Sequence, residues 1–205
     1  MKQGAARKAI YRKDYTPWPW TLHGVELHFD IGDDGTRVTA ELQLERSAGE
    51  QGTELVLYGR ELETLSVSVD GEALSADRFQ VDDETLTVSG VPGRFTLRTE
   101  VRIHPERNTA LEGLYASDGF LLTQCEAQGF RKITWFPDRP DVMTRYEVTI
   151  EADRGRYPVL LSNGNLVGEG DAGDGRHWTR WEDPFPKPSY LFALVAGDLA
   201  CVEDH

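Results

Sequence analysis

The 205-residue sequence has little cysteine and no long apolar run. Cys125 and Cys201 are the only cysteines, too few for the disulfide framework of a small secreted domain, so a reducing compartment is the simpler interpretation. No stretch approaches the ~20 apolar residues that cross a bilayer. The opening MKQGAARKAI has basic residues but no apolar run after them, unlike a secretory signal. We therefore expect a cytoplasmic protein that does not enter a membrane.

Positive charge is outnumbered by negative charge. The chain has 22 Lys and Arg against 35 Asp and Glu, a formal net charge of -13. Nucleic acids and anionic membranes are bound through cationic patches that release counterions, so this balance disfavours both as partners. An acidic surface suits a cationic ligand, although solubility alone is the commoner reason for it.

The motifs of common catalytic sites are missing. No histidine belongs to an H-E-x-x-H motif, and the two cysteines lack zinc-ligand spacing. There is no G-x-S-x-G elbow and no glycine loop of the phosphate-binding type. We therefore predict no catalytic residue, no metal site and no cofactor within this chain.

Period-two alternation of apolar and polar residues dominates the sequence. In VELHFDI the apolar positions 25, 27, 29 and 31 share one face, and GDDG then leads into TRVTAELQLE. This pattern predicts a β-hairpin. Similar runs recur to position 199, with turn signals at Asp70-Gly71, Pro92-Gly93 and Asn163-Gly164. GEGDAGDG, at 168–175, is interpreted as a loop between strands.

The predicted fold class is all-β, with about ten or more mostly antiparallel strands in packed or strongly curved sheets. One or two short helical turns are expected, one of them after Asp138 with Pro140 at its first position. Asp138, Arg139 and Asp141 are expected to organise this turn through local hydrogen bonds and an ion pair. Residues 11–205 are predicted to form a single β domain, preceded by a flexible lead at 1–10.

The segment TQCEAQ is a candidate site. A strand-like run delivers Gln124, Cys125 and Glu126 in succession, followed by a turn at Gly129. From the residues alone, Glu126 is more often a solvated surface carboxylate than a binding group. Cys125 is interpreted as a small buried apolar residue, because the nearby sequence offers no recognisable general base to activate its thiol.

Four ordered blocks carry a family resemblance. NTALEGLY (108–115), TQCEAQGFRKITWFPDRPDV (123–142), YPVLLSNGNLV (157–167) and DPFPKPSYLFALVAGDL (183–199) resemble the N-terminal domain of the zinc aminopeptidase N family, in its bacterial alanyl aminopeptidase branch. The resemblance spans roughly Tyr11 to the end. It implies a large saddle-shaped or sandwich-like β domain that lies against a separate catalytic domain.

The same resemblance implies a role for two residues. Glu126 would bind the α-ammonium group of a peptide substrate with a free N-terminus, and Gln124 would line the pocket for its first side chain. The zinc of the parent enzyme would belong to the catalytic domain, which this chain lacks, so the chain alone would be inactive. Pro137 stands where the family pattern suggests an aliphatic residue, and it puts the local backbone path in question.

Two other interpretations stay open at this point. One is a free-standing β-sandwich module that binds peptide or carbohydrate. The other is an adaptor in which the glutamate is incidental. A gene that continues into an H-E-x-x-H segment favours the aminopeptidase, and a native stop codon after His205 favours a module.

Overall fold

The computed structural model describes residues 11–202. The predicted flexible lead at 1–10 and the last three residues of the predicted domain lie outside the described residues. The strands are β1 (Trp20–Gly32), β2 (Gly35–Arg46), β3 (Glu54–Tyr58), β4 (Glu63–Val69), β5 (Glu72–Ala73), β6 (Phe79–Val81), β7 (Thr85–Ser89), β8 (Arg94–Ile103), β9 (Gly113–Ser117), β10 (Phe120–Gln124), β11 (Met143–Asp153), β12 (Val159–Ser162), β13 (Asn165–Gly173), β14 (Arg176–Pro188) and β15 (Leu194–Gly197).

These strands form three sheets. The large sheet has the order β13-β14-β11-β1-β2-β8-β4-β5, the second is β12-β15-β10-β9, and the smallest is β3-β7-β6. Pairing is antiparallel except between β1 and β11, which run parallel. The predicted all-β class is confirmed. Within residues 11–202, no helix is long and apolar enough to span a membrane.

The β1–β2 hairpin shows why the sequence pattern works. Gly32 pairs with Gly35 at the turn, and the register continues to Trp20 opposite Arg46. The predicted inward residues of β1 are all buried, as are their neighbours on β2. Since alternate side chains of a strand point to opposite faces, the polar set is left on the solvent side. This hairpin forms the centre of the large sheet.

Some local predictions are wrong. Where one or two short helical turns were expected, residues 11–202 contain four three-residue 3-10 turns, at Arg12–Asp14, Pro105–Arg107, Phe130–Lys132 and Ser189–Leu191. The expected helical turn after Asp138 is instead a hydrogen-bonded turn, in which the Val142 N–H donates to the Arg139 carbonyl. Positions 168–173 of the predicted loop belong to strand β13. The Pro92-Gly93 turn joins β7 to β8, which lie in different sheets.

Aromatic packing surrounds the 3-10 turn at Phe130–Lys132. The Phe130 ring lies 4.7 Å from the Phe136 ring and 5.1 Å from the Phe192 ring, edge-on to both. Phe136 also forms a backbone bridge with Tyr58 at the end of β3. The chain that follows β10 is therefore fixed against both the core and the smallest sheet.

Candidate functional site

The end of β10 places the candidate residues. Gln124 is the last residue of the strand and pairs with Gly113 of β9. Residues 124–129 are called the site loop below. In it, Cys125 points inward with 3% exposure, whereas Gln124 and Glu126 are exposed on either side of it. The Gln124 side-chain amide donates to the Glu126 carbonyl at 3.4 Å, and the Glu126–Ala127 peptide bond is cis.

The Glu126 carboxylate is available to a ligand. Among residues 11–202, neither of its oxygens accepts a hydrogen bond or forms an ion pair with another side chain. Acidic residues nearby in the sequence do form ion pairs: Glu112 pairs with Arg60 at 3.8 Å, and Asp141 pairs with Arg139 at 2.7 Å. An ionised carboxylate of this kind offers about four lone-pair sites to a cationic donor.

Two glycines hold the site loop in place. A Cβ on Gly129 would lie 2.4 Å from the Gln124 carbonyl oxygen and 3.0 Å from the Gly113 nitrogen. Gly113, at φ +73°, would place a Cβ 2.8 Å from the Lys132 side chain. The Gly129 N–H closes the turn by donating to the Cys125 carbonyl at 2.9 Å. The loop thus packs directly against the β9 backbone, with no room for a side chain at either glycine.

Cys125 is a small buried residue, as the sequence suggested. Burial, and secondarily the charge of Asp138, raises the pKa of Cys125 far above the range of an ordinary thiol. Because the thiolate is the nucleophilic form, such a group is inert at neutral pH. Cys125 is buried within the site loop, and Gln124 and Glu126 next to it are exposed.

This burial gives a thiol-reactivity prediction. We expect iodoacetamide to label the exposed Cys201 rapidly in the folded chain and Cys125 at least about 100-fold more slowly, since the buried thiol is both hidden and protonated. Labelling in urea should reach both cysteines. Mass spectrometry of tryptic peptides over time measures each rate, and equal rates in the folded chain would contradict the described burial.

The sequence did not reveal how Asp138 is used. Its pattern suggested a local turn residue, yet Asp138 is 1% exposed and bonds with Arg131 and with the distant Ser189. Arg139 and Asp141 do form the local ion pair that was expected. No sequence signal marks Ser189 as a partner, because the contact joins segments 51 residues apart.

Residues 11–202 also include possible zinc ligands. Within the part of the chain that the structure describes, no three His, Cys, Asp or Glu side chains are grouped as metal ligands. His177, the most buried histidine described, has its Nε2 2.7 Å from the Tyr157 carbonyl oxygen. We therefore assign no metal-dependent step to these residues.

The fold defines this chain as an all-β domain, and comparison with known proteins supplies its family. The Peptidase M1 N-terminal domain family matches residues 21–191. That span is most of the chain, so the chain belongs to this family.

Individual relatives agree with this assignment. Proteins named Aminopeptidase N from Caulobacter vibrioides and Escherichia coli are 52% and 47% identical to it, each over 197 residues and 96% of this chain. The chain spans only 23% and 22% of those two proteins, or about a quarter of their length.

Solved structures share the fold. The crystal structure of Legionella pneumophila aminopeptidase A in complex with aspartic acid superposes with a TM-score of 0.88 at 33% identity, over 92% of this chain and 22% of that one. An M1 zinc metallopeptidase from Deinococcus radiodurans gives a TM-score of 0.73 at 16% identity, over 87% and 42% of the two chains.

Proposed function

We propose that residues 11–205 form the N-terminal domain of a zinc-dependent aminopeptidase, which removes the first residue from peptides. The supporting observations are the family membership, the relatives named Aminopeptidase N and the small share of their length that this chain spans. In this proposal the zinc and the hydrolytic residues belong to a separate catalytic domain, the domain's partner. We also place the protein in the cytoplasm, on the strength of its cysteine content.

Within that enzyme, Glu126 is proposed to bind the α-ammonium group of the substrate. An exopeptidase must distinguish a free amino terminus from an internal amide, and charge separates the two most sharply. An ammonium group carries three donors and a full positive charge, whereas an internal peptide amide carries one donor and no charge. The observation that carries this assignment is the exposed Glu126 carboxylate, which has no partner within residues 11–202.

Gln124 is proposed to contact the first side chain of the substrate. It lies two residues before Glu126 in the site loop and is also exposed, and its side-chain amide donates to the Glu126 carbonyl. A side-chain amide has both donors and acceptors, so it tolerates a range of polar and small groups. Holding the amine and the first side chain together also fixes which peptide bond is cleaved, a positioning effect.

Glu126→Gln tests this assignment in the complete protein encoded by the gene. The substitution keeps the size of the side chain and removes its charge, so an ammonium loses its ion-pair partner in a cleft covered by the catalytic domain. Breaking a charge pair at such an interface costs ~2–5 kcal/mol, which corresponds to a fall in kcat/KM of about 30-fold to 5,000-fold. Steady-state kinetics with unblocked peptides measures it.

Asp118→Asn is the matched control. Asp118 is an exposed carboxylate in the β9–β10 turn, at the opposite end of β10 from Gln124, and it undergoes the same change of charge. Asp118→Asn should leave kcat/KM of the complete protein unchanged. Separately, the 205-residue chain alone should show no aminopeptidase turnover. If Glu126→Gln behaves like Asp118→Asn, Glu126 is an ordinary surface residue. A native stop codon after His205 would favour the free-standing binding module.

A further inference from the structure

A buried carboxylate lies close to the site loop and takes no part in the proposed substrate contacts. The Asp138 carboxylate accepts hydrogen bonds from the Arg131 Nε at 2.7 Å, from the Arg131 backbone N–H at 3.3 Å and from the Ser189 hydroxyl at 2.8 Å. The Asp138 carbonyl accepts a further bond from Arg131 Nη2 at 3.3 Å. One side chain thereby joins the Phe130–Lys132 turn to the Ser189–Leu191 turn.

Asp138 is coupled to the site loop in two ways. Along the chain, Arg131 lies two residues after Gly129, whose N–H closes the site loop by donating to the Cys125 carbonyl. Through space, the Asp138 charge helps to raise the pKa of the Cys125 thiol, after the larger effect of burial. Cys125 is the inward-facing residue between Gln124 and Glu126. The carboxylate therefore acts from the buried side of the loop whose exposed side carries Glu126.

The ion pair between Arg131 and Asp138 is expected to add little to the stability of the fold. The Arg131 and Asp138 side chains are 13% and 1% exposed, and removing two charges from water offsets most of their attraction. Packed apolar residues of similar volume are often as stabilising. The pair instead fixes the relative orientation of the two side chains, because the guanidinium and carboxylate groups are planar and hydrogen-bond in a fixed geometry. Arg131 is fixed further by lying 5.0 Å from the Tyr58 ring.

We propose that Asp138 is a positioning residue, which holds the site loop through Arg131 and Ser189 so that Glu126 meets the substrate ammonium in one geometry. This inference rests on the proposed function. A contact that orients a substrate must be held within about 0.5 Å, and side chains on loops reach that precision only when their supporting bonds are satisfied. The site loop has no regular secondary structure between Cys125 and Gly129, so its order depends on such bonds.

The first test measures loop opening in the 205-residue chain, without any activity. In a Cys201→Ser background, iodoacetamide labels only Cys125. Asp138→Asn should raise its labelling rate by at least about 10-fold, because breaking one half of a buried pair leaves the other charge uncompensated. Asn accepts the positive φ of +41° at this position as readily as Asp does, so the charge is the principal change.

Denaturant separates local opening from general destabilisation. A local opening exposes little surface, so its rate should be insensitive to low urea, whereas labelling through global unfolding rises steeply with urea. Asp141→Asn is the matched control, because it removes a carboxylate from the more exposed pair with Arg139, and its rate should match the parent's. Should Asp138→Asn fail to fold, Ser189→Ala removes one bond and should give a smaller increase with the same urea independence.

The second test is a double-mutant cycle in the complete protein. Asp138→Asn should lower kcat/KM for unblocked peptides by about 10-fold or more when Glu126 is present, and by less than about 2-fold in the Glu126→Gln background, since coupled residues are non-additive. The loss should fall mainly on KM if the ammonium contact is equal in the ground and transition states.

The outcomes separate this inference from the function on which it rests. Unchanged Cys125 labelling in Asp138→Asn and Ser189→Ala overturns the positioning role. An equal loss of kcat/KM in both backgrounds also overturns it, since Asp138 would then act without Glu126. If Glu126→Gln alone has no effect, the ammonium contact itself fails, and the inference falls with it even where labelling shows that Asp138 holds the loop.

Discussion

Phe130→Ala should lower the free energy of unfolding of this chain by about 3–5 kcal/mol. Phe130 has no exposed surface, and its ring contacts Phe136 and Phe192 edge-on, with Tyr146 6.3 Å away. Truncation removes the buried apolar area and leaves a cavity that rigid aromatic neighbours cannot close. Domains are typically stable by 5–15 kcal/mol, so this loss is a large fraction of the total.

Urea denaturation followed by fluorescence measures the change through the transition midpoint. Phe185→Ala is the control, because Phe185 is 76% exposed and the same atoms are deleted from solvent. Its effect should stay within about 0.5 kcal/mol. Similar midpoints for the two variants would mean that the aromatic cluster around Phe130 does not hold the chain that follows β10.

Gly129→Ala should cost about 3 kcal/mol or more, at the upper end of what overpacking usually causes. The backbone of Gly129 has φ -86° and ψ -18°, a conformation open to any residue, so backbone preference contributes little. The cost is steric. The added methyl group would lie 2.4 Å from the Gln124 carbonyl oxygen and 3.1 Å from the Cys125 Cα, and backbone atoms cannot move aside as the end of a flexible side chain can.

The site loop should therefore shift away from β9 in this variant, and Cys125 should react faster with iodoacetamide. Gly52→Ala is the matched control, since a Cβ there has no atom within 4 Å. It should be neutral or stabilising by up to about 1 kcal/mol, because alanine restricts the unfolded chain. If Gly129→Ala is as stable as Gly52→Ala, the added methyl group fits beside the Gln124 carbonyl oxygen, and the steric explanation is wrong.

Local patterns predicted most of the strands. In β1 and β2, a strict alternation of apolar and polar residues is enough, because the strand period is two and one face must be buried. The Asp70-Gly71 turn also joins paired strands, β4 and β5, as predicted, with both residues at positive φ. These features depend on neighbours in the sequence, so the sequence reveals them.

The sequence did not predict as well which strands pair with each other. Asn163-Gly164 turns the chain as predicted, yet it leads from β12 in the second sheet to β13 in the large one. A turn signal reports backbone conformation and carries no information on which strands pair across it. The parallel pairing of β1 with β11 likewise joins residues more than 100 positions apart.

Strand β13 shows how a distant residue changes the meaning of glycine. The glycines of GEGDAGDG suggested a loop, because glycine is depleted in strands. In the structure the Trp178 indole of β14 covers Gly168 and Gly170, where a Cβ would come within 3.2 Å and 2.9 Å of the ring. These glycines permit a close approach, which is one of the recognised uses of glycine in a strand.

The sequence by itself determined the all-β class and the inward faces of the long strands, which follow from short-range periodicity and turn chemistry. It indicated Gln124 and Glu126 as candidate residues only through the resemblance of its ordered motif blocks to a known family. The tertiary structure decided which strands pair, that Asp138 is buried against Arg131 and Ser189, and that the site loop is pressed onto β9 through Gly113 and Gly129. Those outcomes depend on packing between residues far apart in the chain, and burial or pairing of that kind leaves no local signature.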